Sequence, residues 1–245
     1  MHECPLQGGH LGIQKTLSKM KGRFFWQNMN NDIKNLIKSC LKCQMRKSNP
    51  SQLSCEPLIP LPTPMYPFAR VHADLLGPLP TTDRNNKYIF SVVDAFSKWL
   101  IALPTTDQTA LTVTRFFIDD VITRFGVPDT VVTDGGRQFV GNLFKESSKM
   151  FGFRHTTTTP YHPACNGQVE RSNRVVSDML AAYVNDSGTD WDLYLQLTTF
   201  AYNSSIQASA NFSPYFILFG REPTVPMDLA LEIPKKMTLN SNLSI

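Results

Sequence analysis

Three acidic residues of this 245-residue chain have the local contexts of ligands for metal-dependent phosphate chemistry. Asp74 ends an apolar run at residues 69–74, Asp134 ends a second run at 130–134, and Glu170 lies near the start of a predicted helix. Carboxylates at the ends of two strands and in the first turn of a helix can converge on one point. Two divalent cations held about 3.5–4 Å apart at such a point promote in-line attack on phosphorus. The pattern therefore predicts phosphodiester chemistry on a nucleic acid.

The expected cations are Mg²⁺ or Mn²⁺, because a ligand set made only of oxygen atoms favours hard ions. The attacking group would be a metal-activated water or 3′-hydroxyl, so the chemistry needs no nucleophilic side chain. Gly135 and Gly136 allow a sharp turn directly after Asp134. Each acid alone has a simpler structural explanation, since Glu in a first turn stabilises a helix through its dipole. The three acids together favour a site.

Residues around Glu170 are predicted to contact DNA. Asn173 and Arg174 follow Glu170 at helical spacings of three and four, so that they share its face. They would hold a substrate phosphate without reading base sequence. The complete set of expected nucleic-acid contacts combines these two with three loop residues: Tyr161, His162, Asn166, Asn173 and Arg174. Packing of Tyr161 against the sheet is the alternative for that aromatic ring.

A second metal site is predicted near the amino terminus. His2, His10 and the pair Cys40 and Cys43 supply nitrogen and sulfur ligands suited to a structural, tetrahedral Zn²⁺. A metal is physically reasonable because so small a segment lacks the core to fold alone. Cys4 is an alternative ligand, and the competing explanation is two unrelated histidines beside a chance Cys-x-x-Cys. The five cysteines are irregularly placed, so a disulfide framework is not expected.

Charge is distributed unevenly along the chain. Residues 1–55 carry nine Lys and Arg against two acids, whereas residues 56–245 carry fifteen against eighteen. A basic amino-terminal segment indicates contact with a polyanion, and a solvated basic helix face is the alternative. No apolar run approaches the roughly 18–20 residues of a membrane-spanning helix, so no membrane partner is expected.

The pattern of apolar residues divides the chain into four segments. We expect a helical zinc-binding domain at 1–47, incomplete at its amino terminus, and a Pro-rich linker at 48–66. A catalytic core at 67–228 and a tail at 229–245 of unknown structure complete the division. Strands are predicted at 71–76, 87–94, 99–103, 130–133 and 154–158, and helices at 10–26, 30–39, 109–125, 138–151, 167–185 and 191–203. The order predicts an α/β fold with a mixed five-stranded sheet flanked by helices.

Several sequence blocks, in order, resemble the integrases of Gypsy-type LTR retrotransposons, which are related to retroviral integrases. The blocks cover residues 2–228 and comprise Gly9-His10-Leu11-Gly12, Phe25-Trp26, Cys40-x-x-Cys43-Gln44, Asp74-Leu-Leu-Gly77-Pro78, Val93-Asp94-Ala-Phe-Ser97-Lys98, Phe125-Gly126-Val-Pro128, Thr133-Asp134-Gly-Gly-Arg-Gln-Phe139, Tyr161-His162-Pro163, Asn166-Gly-Gln-Val-Glu170-Arg171, Asn173-Arg174, Ala201-Tyr202-Asn203, Ser213-Pro214 and Gly220-Arg221. Gly135-Gly136 departs from the pattern, because many relatives have a charged or polar residue followed by Gly at this place.

The resemblance implies an RNase H-like core and a His-His-Cys-Cys zinc domain before it. It also implies that Asp74, Asp134 and Glu170 form a D,D-35-E triad. Such enzymes trim the 3′ ends of element cDNA and join them to host DNA, working as homo-multimers in the nucleus. The carboxy-terminal DNA-binding domain of a full integrase is not evident, so we expect a truncated copy or partial gene. A catalytically inactive or domesticated nucleic-acid-binding protein is one alternative, and a metal nuclease of the RNase H type is the other.

Overall fold

A computed structural model describes residues 2–4, 8–46, 63–158 and 167–232 of the chain. The predicted Pro-rich linker lies largely outside the described residues, and so does most of the tail. Among the described residues, no helix is long and apolar enough to cross a membrane.

A mixed five-stranded sheet forms the centre of the fold, as predicted. Its strands are β1 (Arg70–Leu76), β2 (Tyr88–Asp94), β3 (Leu100–Thr105), β4 (Thr130–Thr133) and β5 (Arg154–Thr157). Their spatial order is β3-β2-β1-β4-β5. Strands β1 to β3 are antiparallel neighbours, whereas β4 runs parallel to both β1 and β5. Strand β1, which carries Asp74 near its end, and strand β4, which Asp134 follows directly, therefore lie side by side in the sheet.

Helices cover both faces of this sheet. They are α4 (Ala110–Phe116), which continues as a π-helical segment (Phe117–Ile122) and as α5 (Thr123–Phe125), then α6 (Arg137–Val140), α7 (Asn142–Phe151), α8 (Gly167–Leu180), α9 (Trp191–Asn203), α10 (Pro214–Phe219) and α11 (Pro226–Ala230). One core buries alternate residues of β1 and β2, such as Val71 and Phe90, with α4, α6 and α7. The other buries Ile89 and Val93 beneath α8 and α9. Period-two alternation along the strands sends neighbouring residues to opposite faces.

Two of the helices predicted in the core are shorter than expected. The prediction at 138–151 is interrupted at Gly141, whose extended backbone (φ −65°, ψ 159°) separates α6 from α7. The prediction at 167–185 ends at Leu180 and continues as turns. Helices α10 and α11 were not predicted, because they are too short to show a 3.6-residue period.

Three further helices form the amino-terminal unit: α1 (Ile13–Lys21), α2 (Met29–Ser39) and α3 (Leu41–Arg46). Met29, Ile33 and Ile37 of α2 pack against α1 in a small core. The helix predicted at 10–26 begins later, because Gly9 and His10 adopt positive φ angles of 57° and 47°. This turn directs the His10 ring toward Cys40 and Cys43.

The amino-terminal unit packs directly on the core of the same chain. Leu11 is buried against Met179 of α8 and Ala201 of α9. The ammonium group of Lys19 donates to the Ala201 carbonyl (3.3 Å) and to the Ser204 hydroxyl (3.1 Å). A cavity of about 150 Å³ remains beside Lys19 in this interface. Lys19, one of the basic residues for which the charge pattern indicated contact with a polyanion, thus faces the core.

Arg23 extends the same interface toward the end of the core. Its guanidinium forms two hydrogen bonds with the Asp228 carboxylate, one of them 2.9 Å long. Asp228 in turn accepts from the Val225 backbone at the start of α11. The hydrogen bonds from the Arg23 guanidinium are the main reason that the pKa of Asp228 lies below its ordinary value.

Candidate active site and metal centre

Strand pairing places Asp74 and Asp134 next to each other. The parallel register of β1 and β4 pairs Ala73 with Thr133, and each aspartate is the residue that follows. Adjacent strands lie about 4.8 Å apart, so the two carboxylates leave the same edge of the sheet as neighbours. Both residues are partly exposed there.

Two N–H groups orient the Asp74 carboxylate. Its Oδ1 accepts from the backbone of Leu75 (2.9 Å), and its Oδ2 accepts from the side-chain amide of Asn173 (2.8 Å). Asn173 belongs to α8 and is buried, so the helix is connected directly to the carboxylate. A neutral donor orients a carboxylate without cancelling its charge.

The turn after β4 holds Asp134. Its Oδ1 accepts from the backbone N–H of Gly136 (3.0 Å), and Thr133 in the preceding position donates its hydroxyl to the Asp134 carbonyl (2.9 Å). A β-carbon on Gly136 would approach the side chain of Gln138 to 2.4 Å. Gly136 therefore permits the sharp turn after Asp134 and also leaves room for the side chain of Gln138.

Glu170 lies in the first turn of α8, one helical turn before Asn173. Residues three apart share a helix face, so the backbone places Glu170 on the face that reaches Asp74. The Glu170 side chain itself is outside the described part of the structure. The backbone thus brings Glu170 to the same edge of the sheet as Asp74, and its role as a ligand stays a prediction.

His72 lies two residues before Asp74 on the same face of β1 and is buried. Burial, with smaller contributions from Arg70 and Lys98, lowers its pKa to about 4. The imidazole is therefore neutral near pH 7 and adds no positive charge beside the carboxylates.

The four predicted zinc ligands also come together. The ligand atoms of His2, His10, Cys40 and Cys43 all lie within 4.8 Å of one another, and all four residues are buried. The Cys40 and Cys43 sulfur atoms are each 3.5 Å from Nδ1 of His10, and Cys43 is 3.4 Å from Nε2 of His2. Cys4, the alternative ligand, is not part of this cluster.

Those distances suit a tetrahedral ion. With metal–sulfur bonds of about 2.3 Å and metal–nitrogen bonds of about 2.05 Å, a tetrahedron has nitrogen–sulfur edges of about 3.5 Å. Three of the four nitrogen–sulfur pairs in the cluster have this spacing. The His10 ring also packs 5.1 Å from the ring of Tyr183, just beyond α8, so the core supports one ligand directly.

The structure describes two of the five predicted DNA contacts, Asn173 and Arg174. Tyr161, His162 and Asn166 lie outside the described residues. Asn173 is buried with its amide on Asp74, whereas Arg174 is exposed. DNA contact by these five residues remains a prediction.

Three buried polar residues organise the site, and residue spacing alone did not reveal their contacts. Asp94, at the end of β2, accepts hydrogen bonds from the backbones of Phe68 and Ser97 and thereby fixes the chain entering β1. Asn203 both donates to and accepts from the backbone of Leu100, at the start of β3. Tyr202 shares a hydrogen bond with Ser172 of α8. All three residues lie in the sequence blocks that resemble the integrases, which was a signal that they matter. The blocks did not indicate which hydrogen bonds these residues make.

Two family models match the chain. Residues 1–49 match the integrase zinc binding domain, and residues 66–163 match the integrase core domain. The Pol polyprotein of transposon 412 from Drosophila melanogaster is 33% identical over 226 residues, which are 92% of this chain and 18% of the polyprotein. Gypsy retrotransposon integrase-like protein 1 of Homo sapiens is 26% identical over 89% of this chain and 41% of its own length. The chain therefore spans less than half of either relative.

Solved structures show the same fold. An integrase chain of the simian T-cell lymphotropic virus intasome, solved with a PP2A regulatory subunit, has a TM-score of 0.60 at 18% identity. The alignment covers 89% of this chain and 72% of that one. The catalytic core domain of HTLV-2 integrase, solved with magnesium, has a TM-score of 0.51 at 19% identity, covering 62% of this chain and 97% of that one.

Proposed function

Because the chain belongs to the retrotransposon integrases, we propose that it trims the 3′ ends of element cDNA and joins them to host DNA. The observation that carries the proposal is the adjacency of Asp74 and Asp134, which follow the last paired residues of the parallel strands β1 and β4, together with the hydrogen bond from Asn173 of α8 to Asp74. The same adjacency would serve any phosphodiester transfer. The amino-terminal His and Cys cluster, which an RNase H-type nuclease does not need, favours integration.

Asp74, Asp134 and Glu170 are the residues that would hold Mg²⁺ or Mn²⁺. Carboxylate oxygens are the preferred ligands of both ions. Asp74 and Asp134 lie at the same edge of the sheet, so one cation could contact both carboxylates. Helix α8 brings the backbone of Glu170 to this edge. When bound, such cations activate a water or 3′-hydroxyl and stabilise the leaving oxygen.

The protein's own groups contribute orientation. The N–H groups of Leu75 and Gly136 and the amide of Asn173 fix the rotation of two carboxylates before substrate arrives. Preorganised groups of this kind lower the reorganisation that a reaction requires.

His2, His10, Cys40 and Cys43 are the ligands that would hold a structural Zn²⁺. The nitrogen–sulfur spacings of 3.4–3.5 Å support this assignment, since they match the edges of a zinc tetrahedron. The matching zinc binding domain supports it independently.

We further assign cDNA ends and host target DNA as substrates, a homo-multimer as the working assembly and the nucleus as the compartment. The intasome neighbour is a multimeric viral assembly, and its fold is shared by this chain. Tyr161, His162, Asn166, Asn173 and Arg174 remain the proposed DNA contacts around the carboxylates. The exposed position of Arg174 in α8 suits contact with a phosphate.

A strand-transfer assay tests the function. Purified protein is mixed with Mn²⁺ or Mg²⁺, a labelled duplex with a recessed strand and a plasmid target, and Glu170→Gln is the control. Joined product from the wild type alone is the expected result. Cleavage without joining would replace integration by nuclease activity. DNA binding without either reaction would replace it by a binding function.

A further inference from the structure

Helix α8 is shared between the carboxylate site and the zinc-type cluster. Its first two turns carry Glu170 and Asn173. Its last turns carry Met179, which is buried against Leu11 of the amino-terminal unit. A β-carbon on Gly9 would approach the Met179 side chain to 2.3 Å, so the turn that carries His10 lies in direct contact with α8. One rigid element thus touches both metal-binding groups.

Tyr202 supplies a second connection, close to the catalytic end of α8. Its hydroxyl is 2.9 Å from the hydroxyl of Ser172, and both residues are buried. Ser172 stands between Glu170 and Asn173 in the sequence of α8. A displacement of Ser172 along or around the helix axis would therefore displace both neighbours.

The other side of Tyr202 faces the amino-terminal unit. The ammonium of Lys15 in α1 lies 5.5 Å from the centre of the Tyr202 ring and also donates to Gln207 (3.1 Å). Gln207 donates in turn to the Tyr202 carbonyl (3.4 Å). A cation over an aromatic ring is attracted to it, more strongly when both are desolvated. The docked unit thereby contacts the ring and the backbone carbonyl region of Tyr202, while the hydroxyl of the same residue contacts Ser172.

We propose that Tyr202 is a positioning residue of the carboxylate site, which transmits the docking of the amino-terminal unit to α8 through Ser172. In this arrangement the docked unit narrows the range of positions of α8, and the Tyr202 hydroxyl sets where Glu170 and Asn173 lie relative to Asp74. The consequence is a tighter hold on divalent cation when the hydroxyl pair is intact. The proposal rests on the proposed function of the three acids.

The test compares Mn²⁺ binding by whole-chain variants, measured through the electron paramagnetic resonance signal of free Mn²⁺. Tyr202→Phe removes only the hydroxyl and keeps the ring beneath Lys15, and Ser172→Ala removes the opposite partner. Both are combined in a double variant. Tyr194→Phe, which removes a hydroxyl from the same helix α9, is the matched control, and Asp134→Asn identifies binding at the carboxylates.

We expect each single variant to weaken Mn²⁺ binding by about two- to ten-fold, the factor that one hydrogen bond supplies. The double variant should lose no more than a single one, because the two substitutions remove one interaction. Hydrogen exchange of the α8 amides should rise in both variants and stay unchanged in Tyr194→Phe.

Three results would overturn the proposal. Wild-type Mn²⁺ affinity in Tyr202→Phe, with binding lost in Asp134→Asn, would remove the positioning role and leave the carboxylate site standing. Additive losses in the double variant would show two independent effects instead of one contact. Mn²⁺ binding that Asp134→Asn does not reduce would remove the carboxylate site and the positioning role together. If Tyr202→Phe fails to fold, Ser172→Ala alone decides, since alanine is favourable within a helix.

Discussion

The repulsion between Asp74 and Asp134 gives the proposed site a measurable thermodynamic signature. The register of β1 and β4 places the backbones of Asp74 and Asp134 about 5 Å apart, with the two side chains on the same face of the sheet. Two like charges at about 5 Å repel by roughly 1 kcal/mol in a water-like medium and by roughly 3 kcal/mol at an effective dielectric constant of 20. Asp134→Asn removes one charge and keeps the Oδ1 atom that accepts from Gly136. Without divalent cation, this variant should therefore be more stable than the wild type by about 1–3 kcal/mol.

Differential scanning calorimetry in EDTA-treated, zinc-reloaded protein measures this difference. One kcal/mol shifts the midpoint of a domain of this size by about 2–4 °C, so the core transition should rise by about 2–12 °C. Addition of Mn²⁺ should raise the wild-type midpoint and leave the Asp134→Asn midpoint nearly unchanged, because binding to the native state alone stabilises it. Asp186→Asn, which makes the same charge change on an exposed turn, is the control. A midpoint for Asp134→Asn below that of the wild type without metal would refute the reasoning and make Asp134 a structural residue.

Three further predictions concern the regions that support the site. Cys43→Ser should abolish the retention of about one zinc per chain and unfold the amino-terminal unit, while the core transition persists at a lower temperature. Metal analysis measures the zinc content and calorimetry measures the two transitions. An unchanged zinc content would contradict the assignment. Burial lowers the pKa of Lys19 from 10.5 to about 7. Because the unfolded chain then binds more protons, stability should rise between about pH 7 and pH 10, and Lys19→Met should reduce this rise in urea unfolding. Part of the rise in stability should remain in Lys19→Met, because burial also lowers the pKa of Lys15 to about 8. Asn203→Ala should lower the free energy of unfolding, measured with urea, by about 2–4 kcal/mol, because the N–H and carbonyl of Leu100 both lose a buried partner. A decrease smaller than that caused by substituting an exposed residue would contradict this prediction.

Local patterns predicted the elements that place the acids. Strand β4 and helix α9 have the predicted bounds, and the other strands differ from prediction by one or two residues. The apolar run of β2 is nearly continuous because this central strand is buried on both faces, so its prediction did not depend on alternation. The ligand types suggested His2, His10, Cys40 and Cys43 as a zinc set, with Cys4 as the alternative, and the structure brings the first four together.

Contacts between distant segments could not be predicted in this way. Nothing in the spacing of Lys15, Lys19 and Arg23 distinguishes residues that dock on a protein from residues that bind a polyanion. Their direction depends on where α1 lies relative to α9, which is a property of the folded chain. The interruption at Gly141 was missed for a related reason, because a glycine within an apolar period is often tolerated.

The docking of α1 has a consequence for any attempt to shorten this protein. Removal of residues 1–46 would uncover Met179 and Ala201, which Leu11 now covers. It would also strip Asp228 of its guanidinium partner. Newly exposed apolar surface promotes association, so a shortened chain should self-associate in gel filtration even where its sheet is intact. Replacing Met179 by a polar residue should restore solubility to the shortened chain, and the same replacement in the whole chain should weaken docking. The division suggested by the sequence is therefore a poor guide to where the molecule can be cut.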